Sequence, residues 1–175
     1  MTLVTLPEGT LVTFSLEGSL PIFREQYVSP QVGKVVLKGL FNQSAHLETM
    51  DGTRYRTLAP QRDKERFSEM AYPVVRLPGR VQVCRLLTPI KLEQSGGIPQ
   101  LRFTTNLENQ HYIFRQVSAG QRGFEMWDSM EMNRLIEREP GGSFIAPLRL
   151  LAPVPALLVL LFPWLDNQTV LRSGT

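Results

Sequence analysis

Two pairs of basic residues have the spacing of a binding surface. Arg54 and Arg56 are two apart in "TRYRT", and Lys34 and Lys38 are four apart in "GKVVLKG". Side chains alternate along a β-strand, so each pair projects from one face. If the two strands are neighbours, the four cations form one patch. Such a patch suits a phosphorylated lipid headgroup or another polyanion. The competing reading is a solvated exterior in which Glu25 and Glu48 interleave with the cations.

Other reactive residue types are sparse. His46 and His111 are the only histidines. Neither has a second ligand at i+2 or i+4 that would suit zinc, and both read as surface or strand-edge residues. Cys84 lies in an apolar strand and reads as a buried, inert thiol, since a nucleophile needs a base within hydrogen-bond reach. Asp128 and Glu131 frame "WDSMEM", where they could hold a cation or cap a turn, and the turn is the better reading. Met126, Met130 and Met132, with Phe124 and Trp127, read as core packing rather than as an adaptable binding surface. The chain has no G-x-S-x-G, no Walker lysine loop and no G-x-G-x-x-G. No catalytic residue, metal site or cofactor is expected.

The bulk numbers fit this picture. At 175 residues, one domain over 1–175 is expected, with its core at about 10–170. Apolar residues make up 42% and charged residues 20%, the balance of a globular chain. Residues 1–91 hold 12 Lys/Arg against 8 Asp/Glu, and residues 92–175 hold 7 against 8. That asymmetry is too mild for a dedicated nucleic-acid protein. A single cysteine excludes an internal disulfide and points to a reducing, cytoplasmic setting. The first residues, "MTLVTLPEGTLVTF", do not read as a signal peptide.

The elements that would carry these residues are strands. Thirteen Pro and thirteen Gly imply many turns. "LVTFSL" (11–16) alternates, with Val12, Phe14 and Leu16 on one face. Asp51-Gly52 predicts a two-residue type I′ hairpin turn between "AHLETM" and "TRYRTL". Pro78-Gly79 separates "YPVVRL" from "RVQVCRLL". "QLRFTT" and "HYIFRQV" form a hairpin around "NLENQ", and "GFEMWD" and "MNRLIERE" form another around Ser129. "QRDKERFSEM" is a loop or one short helix. Roughly ten to twelve short antiparallel strands at regular spacing predict a barrel or sandwich.

One segment is different. "PALLVLLFPWL" (155–165) is apolar on every side, and Pro155 suits the first turn of a helix. The run from Leu150 to Leu165 is broken by Pro153, Pro155 and Pro163 and is too short for the ~20 residues of a membrane span. It also lacks the polar face of an interfacial helix. A helix apolar all round must be surrounded. Burying its eight large side chains contributes roughly 12–24 kcal/mol as an upper bound. The expected fold is therefore mainly β: a closed antiparallel barrel of about 12 strands enclosing a C-terminal hydrophobic helix.

That arrangement resembles the tubby C-terminal-like superfamily, which includes the tubby proteins, the LURP-one-related proteins and the phospholipid scramblases. The residues that carry the resemblance are "LETMDGTRYRTL" (47–58), "YIFRQV" (112–117), "FEMWDSMEMNRLIERE" (124–139), "GGSFIAPLRLL" (141–151) and the closing apolar helix. The order is similar to that of LURP-one-related chains. The resemblance implies a non-enzymatic binding or scaffold module. It also implies that the basic pair on a strand, with Lys34 and Lys38, is similar to the tubby phosphoinositide site.

Three functional readings follow. The first is that module, cytoplasmic or peripheral to a membrane, taking anionic lipid headgroups or a protein partner. The second is a calycin-like carrier of small molecules, hollow, with the helix packed outside. The third is a domain anchored to a membrane or partner by its C-terminal segment.

Overall fold

A computed structural model describes residues 3–19, 24–39, 44–65, 67–91, 93–95, 98–118, 123–139 and 146–173. Its strands are β1 (Thr5–Leu6), β2 (Leu11–Val12), β3 (Ser15–Ser19), β4 (Arg24–Ser29), β5 (Gly33–Lys38), β6 (Ser44–Thr49), β7 (Arg54–Thr57), β8 (Gln61–Arg62) and β9 (Glu69–Arg76). They continue with β10 (Val81–Pro89), β11 (Glu93–Ser95), β12 (Ile98–Gln100), β13 (Arg102–Leu107), β14 (Gln110–Gln116), β15 (Phe124–Asp128), β16 (Arg134–Arg138), β17 (Leu148–Leu150) and β18 (Val154–Pro155). Two helical pieces close the chain, α1 (Ala156–Leu160) and α2 (Phe162–Ser173). The protein is mainly β and antiparallel, with a helix at its C-terminal end.

Most strands join one 14-stranded sheet. Its order is β2-β17-β16-β15-β14-β13-β10-β9-β7-β6-β5-β4-β3, with β8 paired beside β7 on the same margin of β9. The strand pairs predicted from sequence, β6–β7, β9–β10, β13–β14 and β15–β16, are all on this path and supply four of its twelve pairings. The chain "QRDKERFSEM" supplies β8 and then a loop, with no helix.

The β6–β7 turn is not of the expected type, and a turn of that type joins β13 to β14 instead. Thr49 and Thr53 flank the β6–β7 hairpin, with Thr49 N–H donating to Thr53 O at 3.0 Å. Three residues lie between them, and only Gly52 has positive φ, at 85°. That is a type I turn with a glycine in the left-handed position, not the two-residue type I′ turn. Asp51 accepts from the Thr49 hydroxyl and from Thr53 N–H, which holds a different turn than Asp-Gly alone suggests. The two-residue turn with both φ positive occurs at Glu108–Asn109, φ 51° and 63°, between β13 and β14.

The apolar segment lies in the core. Every residue from Val154 to Leu165 is buried, and Ala156 to Phe162, Trp164 and Leu165 are at most 1% exposed. Strands from both halves of the sheet converge on it. α1 packs against β5 and β6, and α2 against β15. The Trp164 ring lies edge-on to Tyr72 of β9 and Phe103 of β13, and Phe162 lies edge-on to Phe114 of β14. A hollow calycin interior with an external helix is not what these contacts describe. No helix among the described residues is long and apolar enough to cross a membrane.

Prolines shape the helix as expected, with two differences. Pro155 is the residue before the helix rather than its first turn, with ψ 131°, and it pairs with Thr5. Pro163 cannot donate to the carbonyl of Val159. The helix breaks at Leu161, whose N–H reaches Leu158 O at 3.3 Å. Beyond the break the chain turns polar. Asp166 pairs with Arg138 of β16, and Asn167 Nδ2 donates to Pro163 O at 3.0 Å.

The expected closure into a barrel is not made by strand pairing. The two ends of the sheet's path are β2 and β3, and no ladder joins them. The expected single strand over 11–16 is broken at Thr13–Phe14, and Leu16 is 50% exposed rather than facing inward with Val12. The physical reason is local. Thr13 N–H donates to the side chain of Gln31 at 3.0 Å, so it is not available to a neighbouring strand. Gln31 Oε1 also accepts from the hydroxyls of Thr13 and Ser29.

An Asp in place of Leu158 would put an unpaired carboxylate where no exposure exists. The cost is several kcal/mol, comparable to the whole stability of a domain of this kind. Leu158→Asp is expected to abolish the cooperative thermal transition or lower its midpoint by well over ten degrees, read by circular dichroism.

Candidate functional site

The four basic residues lie on one face of three adjacent strands. Along β5, Val35 and Leu37 face the core while Lys34, Val36 and Lys38 lie on the other side, where Val36 is also buried beneath its neighbours. The same alternation sends Leu47 of β6 and Tyr55 of β7 inward, leaving Glu48, Arg54 and Arg56 outward. β5 and β7 are not direct neighbours, because β6 runs between them. Register places the residues in rows. Lys34, Glu48 and Arg54 form one row, Val36, His46 and Arg56 the next, and Lys38 and Ser44 a third. Strands spaced about 4.8 Å apart put Lys34 and Arg54 at about 10 Å across the sheet.

The face is basic with one acidic centre. Lys34 Nζ lies 3.9 Å from the Glu48 carboxylate, and both groups are well exposed. An exposed pair at that distance holds little energy and leaves the lysine available. Lys34 and Arg54 are exposed, and Lys38 and Arg56 are half-buried. Glu25 does not interleave with them as expected. It accepts a 2.8 Å hydrogen bond from the Tyr27 hydroxyl, and Tyr27 is a core residue. Burial, then that hydrogen bond, raises the Tyr27 phenol far above its usual range.

The remaining reactive residues have structural work. His111 Nδ1 is hydrogen-bonded to Asn106 Oδ1 across β13 and β14. Asp128 accepts from Met132 N–H at 3.1 Å and from Asn133 Nδ2 at 2.8 Å, which closes the β15–β16 turn. The Asn133 hydrogen bond, with those backbone N–H groups, holds the Asp128 carboxyl below its ordinary value. Glu131 pairs with Arg102 and Arg115 rather than facing a cation site. Among the described residues no group of three His, Cys, Asp or Glu is placed to hold a metal ion. The methionine group divides. Phe124 and Met126 are fully buried as expected, but Met130 and Met132 are 72% and 75% exposed. Trp127 lies between two guanidinium groups, with Arg115 at 4.7 Å and Arg134 at 5.9 Å from its ring centroid. Sequence reasoning missed this cluster, because it needs the β14–β15 pairing, which the predicted hairpins do not include.

No protein-family model, curated protein or solved structure matches this chain.

Cys84 is 5% exposed, and burial pushes its thiol up to about 11. A hydrogen bond with Thr105 opposes that shift only in part. The folded protein therefore holds the thiol proton more tightly than the unfolded chain, whose value is near 9.0. The stability this contributes is complete below pH 9 and is lost as pH rises from 9 towards 11. Urea titrations are expected to show that Cys84→Ala removes part of the alkaline loss of stability in that window. A disulfide reagent at pH 8 is expected to leave Cys84 unmodified until the protein is unfolded.

Proposed function

We propose that this chain is a non-enzymatic binding module whose β5–β7 face takes anionic lipid headgroups. The observation that carries the reading is the juxtaposition of Lys34, Lys38, Arg54 and Arg56 around a single carboxylate, on one face of three adjacent strands. Cations spread over about 10 Å suit a ligand with more than one negative oxygen cluster better than a single carboxylate. The rigid sheet beneath them supplies preorganisation, since the backbone carrying each residue is fixed by ladders on both sides.

The tubby-like architecture is part of the same proposal. β2 and β3 run in the same direction, because every step of the path between them is antiparallel. Only Thr13 and Phe14 separate them. We infer that β2 and β3 act as one bent strand that serves both margins. The sheet then functions as a barrel of about twelve strands around its helix, similar to LURP-one-related proteins. A reducing, cytoplasmic setting with peripheral membrane contact fits the single buried thiol.

Flotation with vesicles tests the lipid reading. Binding is expected to vesicles containing phosphatidylserine or phosphoinositide and not to phosphatidylcholine alone, and to weaken with added salt. Each lost cation is expected to cost roughly 1 kcal/mol, about fivefold in binding. Arg54→Ala with Lys34→Ala therefore lowers vesicle affinity about twenty-five-fold. Equal flotation with neutral vesicles, or binding unchanged in the double variant, would remove the proposal.

A further inference from the structure

We propose a second site, on a different part of the sheet, for a small uncharged polyhydroxyl ligand of monosaccharide or cyclitol size. It occupies a cleft where β10 and β13 separate. Among the described residues these strands share one register pair, Leu87 with Thr104. Beyond that point the Thr105 hydroxyl donates to Arg85 O at 2.8 Å. On its other margin, against β9, β10 bulges between Gln82 and Cys84. A bulge bends its strand and raises the local twist, and bulges are over-represented beside functional sites. The result is a cavity of about 360 Å³, at the lower end of the range for small-ligand sites.

The lining argues for the ligand class. Gln82, Thr104, Asn106 and His111 present polar side chains to the cavity. The His111 contact fixes both partners. Nδ1–H donates to Asn106 Oδ1, which leaves Nε2 and the Asn106 amide nitrogen for a ligand. Amides, a hydroxyl and an imidazole together offer donors and acceptors side by side, the pattern that vicinal hydroxyls match. Charge is balanced rather than accumulated. Arg85 is paired to Asp63, whose side chain is 1% exposed, and lies 3.7 Å from Glu65 at the rim. An anion would meet Glu65, and a cation would meet Arg85. Among the described residues no Phe, Tyr or Trp lines the cavity, so a ligand recognised by broad ring stacking is not favoured.

The site is tested on the full chain by amide NMR titration with myo-inositol, glucose and ribose, and in parallel with inorganic phosphate. At least one neutral probe is expected to shift amides within 82–87 and 104–111. Thr104→Val and His111→Phe are expected to weaken that binding at least tenfold with melting temperature unchanged. If His111→Phe does not fold, Thr104→Val alone decides. No shift with any neutral probe, shifts unaltered in the variant, or a stronger response of the same amides to phosphate would overturn the proposal. The basic face on β5–β7 is not among these amides, so the two sites fail or stand separately.

Discussion

Everything in this structure depends on hiding a helix that has no polar side. Leu157, Leu158, Val159, Leu160, Leu161, Phe162, Trp164 and Leu165 leave no face for water, and all are at most 1% exposed. A flat two-layer arrangement would cover only one side of such a helix. The strands must therefore approach from several directions, and ring contacts from β9, β13 and β14 with backbone packing from β5, β6 and β15 show that they do. The inward residues of each strand are then committed to the helix. The outward residues are free of that demand, and both proposed sites are built from them.

The polar end of the helix sets its depth. Asp166 follows directly on the apolar run and meets Arg138 at the end of β16. Arg138 also donates through Nε to Phe124 O at 3.2 Å. Gly123 makes room for this arrangement. It has φ 122°, and a Cβ there would stand 2.9 Å from Arg138 Nε. At the opposite end, the first free helical N–H, that of Ala156, donates to Val4 O at 2.8 Å. The apolar run is thus tied at its polar end to β16 and at its start to the segment leading into β1, by polar contacts that apolar packing alone would not specify.

Much of this was legible in the sequence because it rests on local pattern. Alternation located the inward and outward sides of β5, β6 and β7, and so placed Lys34, Lys38, Arg54 and Arg56 outward together. The apolar run located the core helix, because no other position suits eight consecutive large apolar positions broken only by Pro163. What failed was set by single hydrogen bonds to distant or non-obvious partners. Gln31 takes the N–H of Thr13 and breaks the strand predicted over 11–16. Asp51 binds Thr53 N–H and selects a longer turn. The β10–β13 cleft was illegible because strand order across "IKLEQSGGIPQ" is not written in any local pattern, and the Trp127 cluster because the β14–β15 pairing that brings Arg115 to Trp127 is not written in one either.

Removing residues 153–175 tests the central claim most directly. If the wall exists only around its helix, the truncated chain shows collapsed amide chemical shifts and no cooperative melting transition. A truncated chain with dispersed shifts and a sharp transition near that of the full-length protein would contradict the account.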